Sequence, residues 1–175
     1  AYRISILGAE SKAGKTTLLC LLYREMIVGG ELCGSGVQPG NVVVFSEEPA
    51  HEWIKYRDYF GLAGNVAVGC MPFAGCNPTL REWQHFIDEG VRYLRANPVR
   101  LVVLDTLTHL WGVEDENNAR EVTKALKLLE RLTACGTSVL IVHHFGNDAA
   151  VRLQALSRRR AAGPEGRRRC SDRPR

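Results

Sequence analysis

The sequence predicts an α/β fold, a three-layer sandwich with a mostly parallel sheet, on three observations. Short apolar runs alternate with helix-length amphipathic stretches from residue 4 to residue 144, the pattern of successive strand–helix–strand units. Polar and charged residues gather where those runs end, at Ser46-Glu47-Glu48, Asp105-Thr106 and His143-His144. Apolar runs such as Leu101 to Leu104 and Val139 to Val142 are of strand length, far below the roughly 20 residues of a membrane-spanning helix.

The first element is a strand from Ile4 to Leu7, which enters Gly8-Ala9-Glu10-Ser11-Lys12-Ala13-Gly14-Lys15-Thr16-Thr17. A small-residue loop that ends in Gly-Lys-Thr between a strand and a helix is a phosphate-binding P-loop. Its backbone N–H groups turn inward at a polyphosphate, Lys15 bridges the terminal phosphates, and the Thr16 hydroxyl meets Mg2+. The helix behind it adds free N–H groups and the positive end of its dipole. Ala9 stands where the pattern G-x-x-x-x-G-K-[ST] has its first Gly, with Gly8 one place early; an Ala there needs only a tolerable backbone angle. Leu18, Leu19, Leu21, Leu22, Met26 and Ile27 recur at helical spacing as core residues, and Gly29-Gly30 ends the helix.

Residues 34–40 are a flexible connection into a buried strand, Asn41 to Phe45, that closes on Ser46-Glu47-Glu48-Pro49. Acids at the carboxyl end of an apolar strand stand where open parallel sheets bind ligands, and Glu47 is preferred over Glu48 for that role. A helix from Pro49 to Phe60 stops at Gly61, with Trp53, Ile54, Tyr56 and Phe60 available to pack. Asn65 to Cys70 is a further strand, and a loop with Pro72, Gly75 and Pro78 follows. Thr79-Leu80-Arg81-Glu82 is a capping box that opens a helix carrying Leu80, Trp83, Ile87, Val91 and Leu94 inward. His85 on that helix is a surface residue.

Leu101-Val102-Val103-Leu104-Asp105 is an apolar strand ending in an acid, which in a P-loop nucleoside triphosphatase orients Mg2+ through water. Thr106, not Glu, follows it, so the carboxylate that activates the attacking water cannot be the next residue along. Glu47, at the tip of the neighbouring strand, becomes the candidate. The polar stretch from His109 to Asn118 leads into an amphipathic helix, Ala119 to Ala134, with Val122, Leu126, Leu129 and Leu132 on one face. Gly136 ends it, and Thr137 to Val142 is a last strand closing on His143-His144. Neighbours in a strand point to opposite faces, so one of these His is the candidate to contact a γ-phosphate or its attacking water, with His144 slightly preferred.

Charge is unevenly placed. Residues 151–175 hold nine Arg against Glu165 and Asp172, a balance of +7; the total of +4 therefore leaves −3 on residues 1–150. The expected organisation is a core over residues 1–148 and a basic tail over 149–175, disordered or not native to the protein. Six Cys lie scattered without C-x-x-C spacing, as reduced thiols of a cytoplasmic protein and mostly small core residues. The chain opens on Ala1, only three residues ahead of its first strand, and is expected to be an excised fragment.

Ala9 to Thr17, Val42 to Pro49, Leu101 to Leu107 and Val139 to His144 together resemble the RecA-like ATPases of the hexameric replicative helicase type. The likeness is strongest to plasmid RepA-like helicases and the related AAA_25-type ATPase domains of phage and mobile-element proteins, and it covers residues 4–146. It implies ATP and Mg2+ as ligands, Lys15 and Thr16 on the phosphates and metal, Asp105 on the metal, Glu47 as catalytic acid, and His143 or His144 as the residue closing the later strand. It further implies a homo-oligomeric ring acting on single-stranded DNA. Beyond Phe145 the likeness ends, and none of Arg158, Arg159 and Arg160 matches an arginine finger donated across a ring interface. Two rivals are a P-loop kinase of small molecules and a regulatory subunit that binds nucleotide without hydrolysing it. The partitioning ATPases, with a second Lys five residues before the P-loop Lys, are excluded because that position is Glu10.

Overall fold

The computed structural model describes residues 2–10, 12–73, 76–115 and 117–144. In chain order these form β1 (Ile4–Ala9), α1 (Lys15–Val28), β2 (Glu31–Leu32), β3 (Ser35–Gly36), β4 (Asn41–Ser46), α2 (Ala50–Phe60), β5 (Val66–Cys70), α3 (Leu80–Ala96), β6 (Val99–Asp105), a 3-10 turn (Leu107–His109), α4 (Ala119–Thr133) and β7 (Ser138–His144). Five strands make one sheet in the order β1-β7-β6-β4-β5, and every pair in it is parallel. The expected fold class is what forms, a parallel sheet with helices on both faces, the layout of a RecA-like P-loop core.

Strand periodicity sorts the core into two layers, one on each face of the sheet. Val43, Val102, Leu104, Val139 and Ile141 join α3 and α4 around the fully buried Trp83. Their neighbours Val42, Val44, Val103 and Val142 face the other way, onto Leu19, Cys20, Tyr23 and Met26 of α1 and Trp53 of α2. The Trp83 indole N–H donates to the Ala125 carbonyl at 3.2 Å, tying α3 to α4.

Local signals set the helix ends. The Thr79 box closes in both directions: Thr79 accepts from the Glu82 amide at 3.3 Å, and the Glu82 carboxylate accepts from the Thr79 amide at 2.7 Å. Gly29 and Gly61 end α1 and α2 in left-handed conformations, which a residue without Cβ adopts freely.

Some expectations fail for physical reasons. Residues 31–36 are a small hairpin, with Cys33 at φ 51° and Gly34 at φ 76°, the two positive angles of a twist-matched two-residue turn. On α1 the buried apolar set is Leu19, Cys20, Tyr23 and Met26, while Leu18 is exposed. Leu80, first in α3, is 37% exposed; it stands a full turn ahead of the stripe that Trp83 begins. Of the described Cys only Cys20 is buried, and Cys33 and Cys76 are exposed. His85 is exposed beside Glu89. Among the described residues, no helix is long and apolar enough to cross a membrane. The expected basic tail over 149–175 lies outside the described residues, as does Cys170.

Candidate functional site

Parallel strands in register bring their carboxyl ends to one edge of the sheet. Ala9 of β1 pairs with His144 of β7, and Ser46 of β4 pairs with Asp105 of β6. The chemistry-bearing residues that follow or close these strands therefore converge, although more than a hundred residues separate the first from the last.

The loop between β1 and α1 curls back on itself. Lys12 takes φ 62° and Gly14, the N-cap of α1, φ 83°; alternation of handedness of this kind turns successive N–H groups toward one concavity. Gly14 supplies its angle without strain, whereas Lys12 holds a conformation costing of order 1–3 kcal/mol for a residue with a side chain. Ala9 remains extended at the end of β1, so the missing first Gly of the pattern is not needed here. No acid sits in the first turn of α1, and no side chain caps it. Its first amides thus have no partner within the helix. Lys15 is 8% exposed, and its Nζ donates to the carbonyls of Ala9 at 3.1 Å and Glu10 at 2.7 Å. The ammonium is thereby held over the loop.

A cleft of about 450 Å3 opens at this point. Lys12, Gly14, Lys15, Thr16 and Thr17 form one wall; Glu47, Glu48, Tyr56, Asp105 and His144 form the other. Of the residues expected from sequence, His143 is not among those lining the cleft, Ala9 and Glu10 enter through their carbonyls, Ala13 lies in the loop, and Ser11 lies outside the described residues. His144 is exposed at the end of β7, and His143 is half-buried beside it.

The acidic wall is tied together. The Glu47 amide donates to the Asp105 carbonyl at 2.9 Å, just beyond the last pair of the β4–β6 ladder. Thr106 Oγ1 donates to Glu47 Oε2 at 3.0 Å. The Ser46 hydroxyl accepts from the Glu48 amide at 3.0 Å, and the Tyr56 hydroxyl donates to Glu48 Oε1 at 3.4 Å. Crowded acids out of water resist ionising together. Burial, then repulsion from Glu48 and Glu47, raises the Asp105 carboxyl to about 6 against the attraction of Lys15. Burial also raises Glu48, with Glu52 and Glu47 adding to the effect and the Tyr56 hydrogen bond opposing it. Tyr56 in turn is pushed up to about 12, first by burial and then by Glu48.

Residues of this wall fit a hard divalent cation. Apart from His144, the side-chain donors there are oxygens, which suit Mg2+, and Glu48 Oε2 is buried without a hydrogen-bond partner. Among the described residues, no three His, Cys, Asp or Glu close a metal cage by themselves; Mg2+ is commonly completed by substrate phosphates and water.

One member of the wall and a buried residue bonded to it carry more than sequence alone assigned to them. Tyr56 is assigned there to packing, yet its hydroxyl faces Glu48 while its ring meets Trp53 edge-on; the legible signal was its place on the helix directly after the acid pair. Thr106 is noted there only for not being Glu, and its hydroxyl is the group that meets Glu47.

A nucleotide-binding P-loop domain is thus what the sheet and cleft define. The family described as AAA domain, AAA_25, matches residues 1–150, and the chain belongs to it. That membership makes it a P-loop ATPase-type domain. No curated protein matches the chain.

Proposed function

We propose that this chain binds Mg2+·ATP in the cleft between the P-loop and the acidic wall and hydrolyses it, as the motor domain of a DNA helicase or related replication or recombination ATPase. The observation that carries this reading is the meeting of Lys15, Thr16, Glu47 and Asp105 at one cleft, with Thr106 where a different P-loop enzyme would carry its acid.

The P-loop amides, the first turn of α1 and Lys15 hold the β- and γ-phosphates. Thr16 and Asp105 would hold Mg2+, Asp105 through water, and the ion would supply positive charge to the phosphate oxygens. Glu47 orients a water and accepts its proton as the water oxygen attacks the γ-phosphorus. The bond to the β–γ bridging oxygen breaks, ADP leaves with the electron pair, and the proton passes on to solvent. His144, at the mouth of the cleft, donates to the γ-phosphate or the attacking water, and His143 is the alternative for that role.

The helicase assignment draws on the likeness to RepA-like hexameric helicases. It brings a cytoplasmic homo-oligomeric ring, an arginine finger from the neighbouring subunit, and single-stranded DNA as the track. In this scheme residues 1–148 are the motor core and 149–175 a basic appendage. Phosphate release measured with and without single-stranded DNA tests the proposal. ATP hydrolysis stimulated by DNA supports it. Hydrolysis indifferent to DNA removes the helicase assignment, and ATP binding without phosphate release favours a regulatory subunit.

A further inference from the structure

We propose that Thr106 is a positioning residue for the water-activating acid, orienting the Glu47 carboxylate through its side-chain hydroxyl; this rests on the role given to Glu47 above. Thr106 is 1% exposed, so its hydroxyl is screened from water and must find its partner inside the protein. That partner is Glu47 Oε2, which accepts from Oγ1 at 3.0 Å. The same Glu47 is fastened by its amide to the carbonyl of Asp105 at 2.9 Å. Backbone and side chain of one acid are therefore both tied to the tip of β6, the strand that delivers Asp105.

A bare Glu side chain explores several rotamers, and an acid that must hold a water in line with a phosphorus loses rate whenever it points elsewhere. A buried hydroxyl bonded to one carboxylate oxygen sets the plane of the group, and with it the direction its other oxygen faces. The alternative of a merely structural Thr is met by its methyl group alone; the hydroxyl is what the role requires. The position after the metal-side acid is thus occupied by a residue that aims an acid borne on the adjacent strand.

The test compares the full chain with Thr106→Val, Thr106→Ser, Glu47→Gln and the Thr106→Val/Glu47→Gln double variant, reading kcat, KM and binding of a fluorescent ATP analogue. Thr106→Val keeps the shape and removes the hydroxyl. It is expected to lower kcat by about 10- to 100-fold, the value of a hydrogen bond to a charged group, with KM and analogue binding within about twofold of the parent. Thr106→Ser is expected to restore most of the rate. In the Glu47→Gln background the Val substitution is expected to add no further loss, because the group it aims is already disabled.

Parental kcat in Thr106→Val, an equal fall in Thr106→Ser, or a full additional loss in the double variant overturns the proposal. Should Thr106→Val fail to fold, Thr106→Ser against Thr106→Ala, which differ by the hydroxyl alone, carries the same comparison. An inactive Glu47→Gln beside a fully active Thr106→Val removes the positioning role only. An undiminished Glu47→Gln, or a parent chain without hydrolysis, removes the reading it rests on and the proposal with it.

Discussion

Replacing Asp105 by Asn exposes what the cleft costs the protein when it is empty. In the free chain, burial first and then repulsion from Glu48 and Glu47 lift the Asp105 carboxyl from 3.8 to about 6. The folded-state value lies above the unfolded one, so the folded state favours the protonated acid. The contribution to stability is full below about pH 4 and is lost as the pH rises through about 6. Each pH unit between the two values is worth about 1.4 kcal/mol, which makes the ionised carboxylate a burden of about 3 kcal/mol at pH 8. Asp105→Asn keeps the shape and removes the charge. A gain of that size raises the Tm of a domain of this length by roughly 6–12 °C. Thermal unfolding followed by circular dichroism in EDTA, without nucleotide, reads it. The variant is expected to melt above the parent at pH 8, the gap narrowing toward pH 5; Glu48, raised in the same direction, is present in both, and the relief of its repulsion with Asp105 is part of the gain. Mg2+·ATP is expected to stabilise the parent and not the variant. An Asn variant no more stable than the parent at pH 8, or a gap unaffected by pH, refutes the electrostatic account of the acidic wall.

Three further outcomes are expected. Lys15→Ala removes the cation over the loop and weakens ATP binding by at least about 10-fold in a fluorescent-nucleotide titration, with the fold retained by circular dichroism. Thr79→Ala breaks the capping box of α3 and lowers stability by about 1 kcal/mol, read as a Tm drop of roughly 2–4 °C; an unchanged Tm denies the box its role. Trp83→Ala empties the centre of the α3–α4 layer and removes the indole hydrogen bond to the Ala125 carbonyl, a loss of about 3–5 kcal/mol in urea unfolding.

Much of this was legible because each signal is local. The Val-Val-Leu-Asp run that ends β6, the Thr79–Glu82 box and the Gly-Lys-Thr start of α1 each carry their own physics in a few residues, and the structure puts each at the expected place. Strand order was not legible, because alternation tells which face a residue takes and not which strand lies beside it. The pairing of β1 with β7, β7 with β6 and β6 with β4 is what brings Thr16, Glu47 and Asp105 to one cleft. The hairpin at 31–36 escaped because Cys33 is not a residue that announces a positive φ. Tyr56 and Thr106 escaped for a different reason. Their packing roles are sufficient to explain an aromatic on an amphipathic helix and a Thr at a strand end, and only the folded arrangement brings both hydroxyls onto the acid pair.

Single-turnover phosphate release from bound ATP, in the parent chain and in Glu47→Gln, tests the central claim most directly. Gln keeps the size of the acid and one acceptor oxygen, and removes its charge and its capacity to take a proton. The account expects ATP to bind both proteins with Mg2+ and release from the variant to fall by about 10²- to 10⁴-fold. Undiminished release from the variant contradicts it, because the water would then be activated by a group other than the acid at the end of β4.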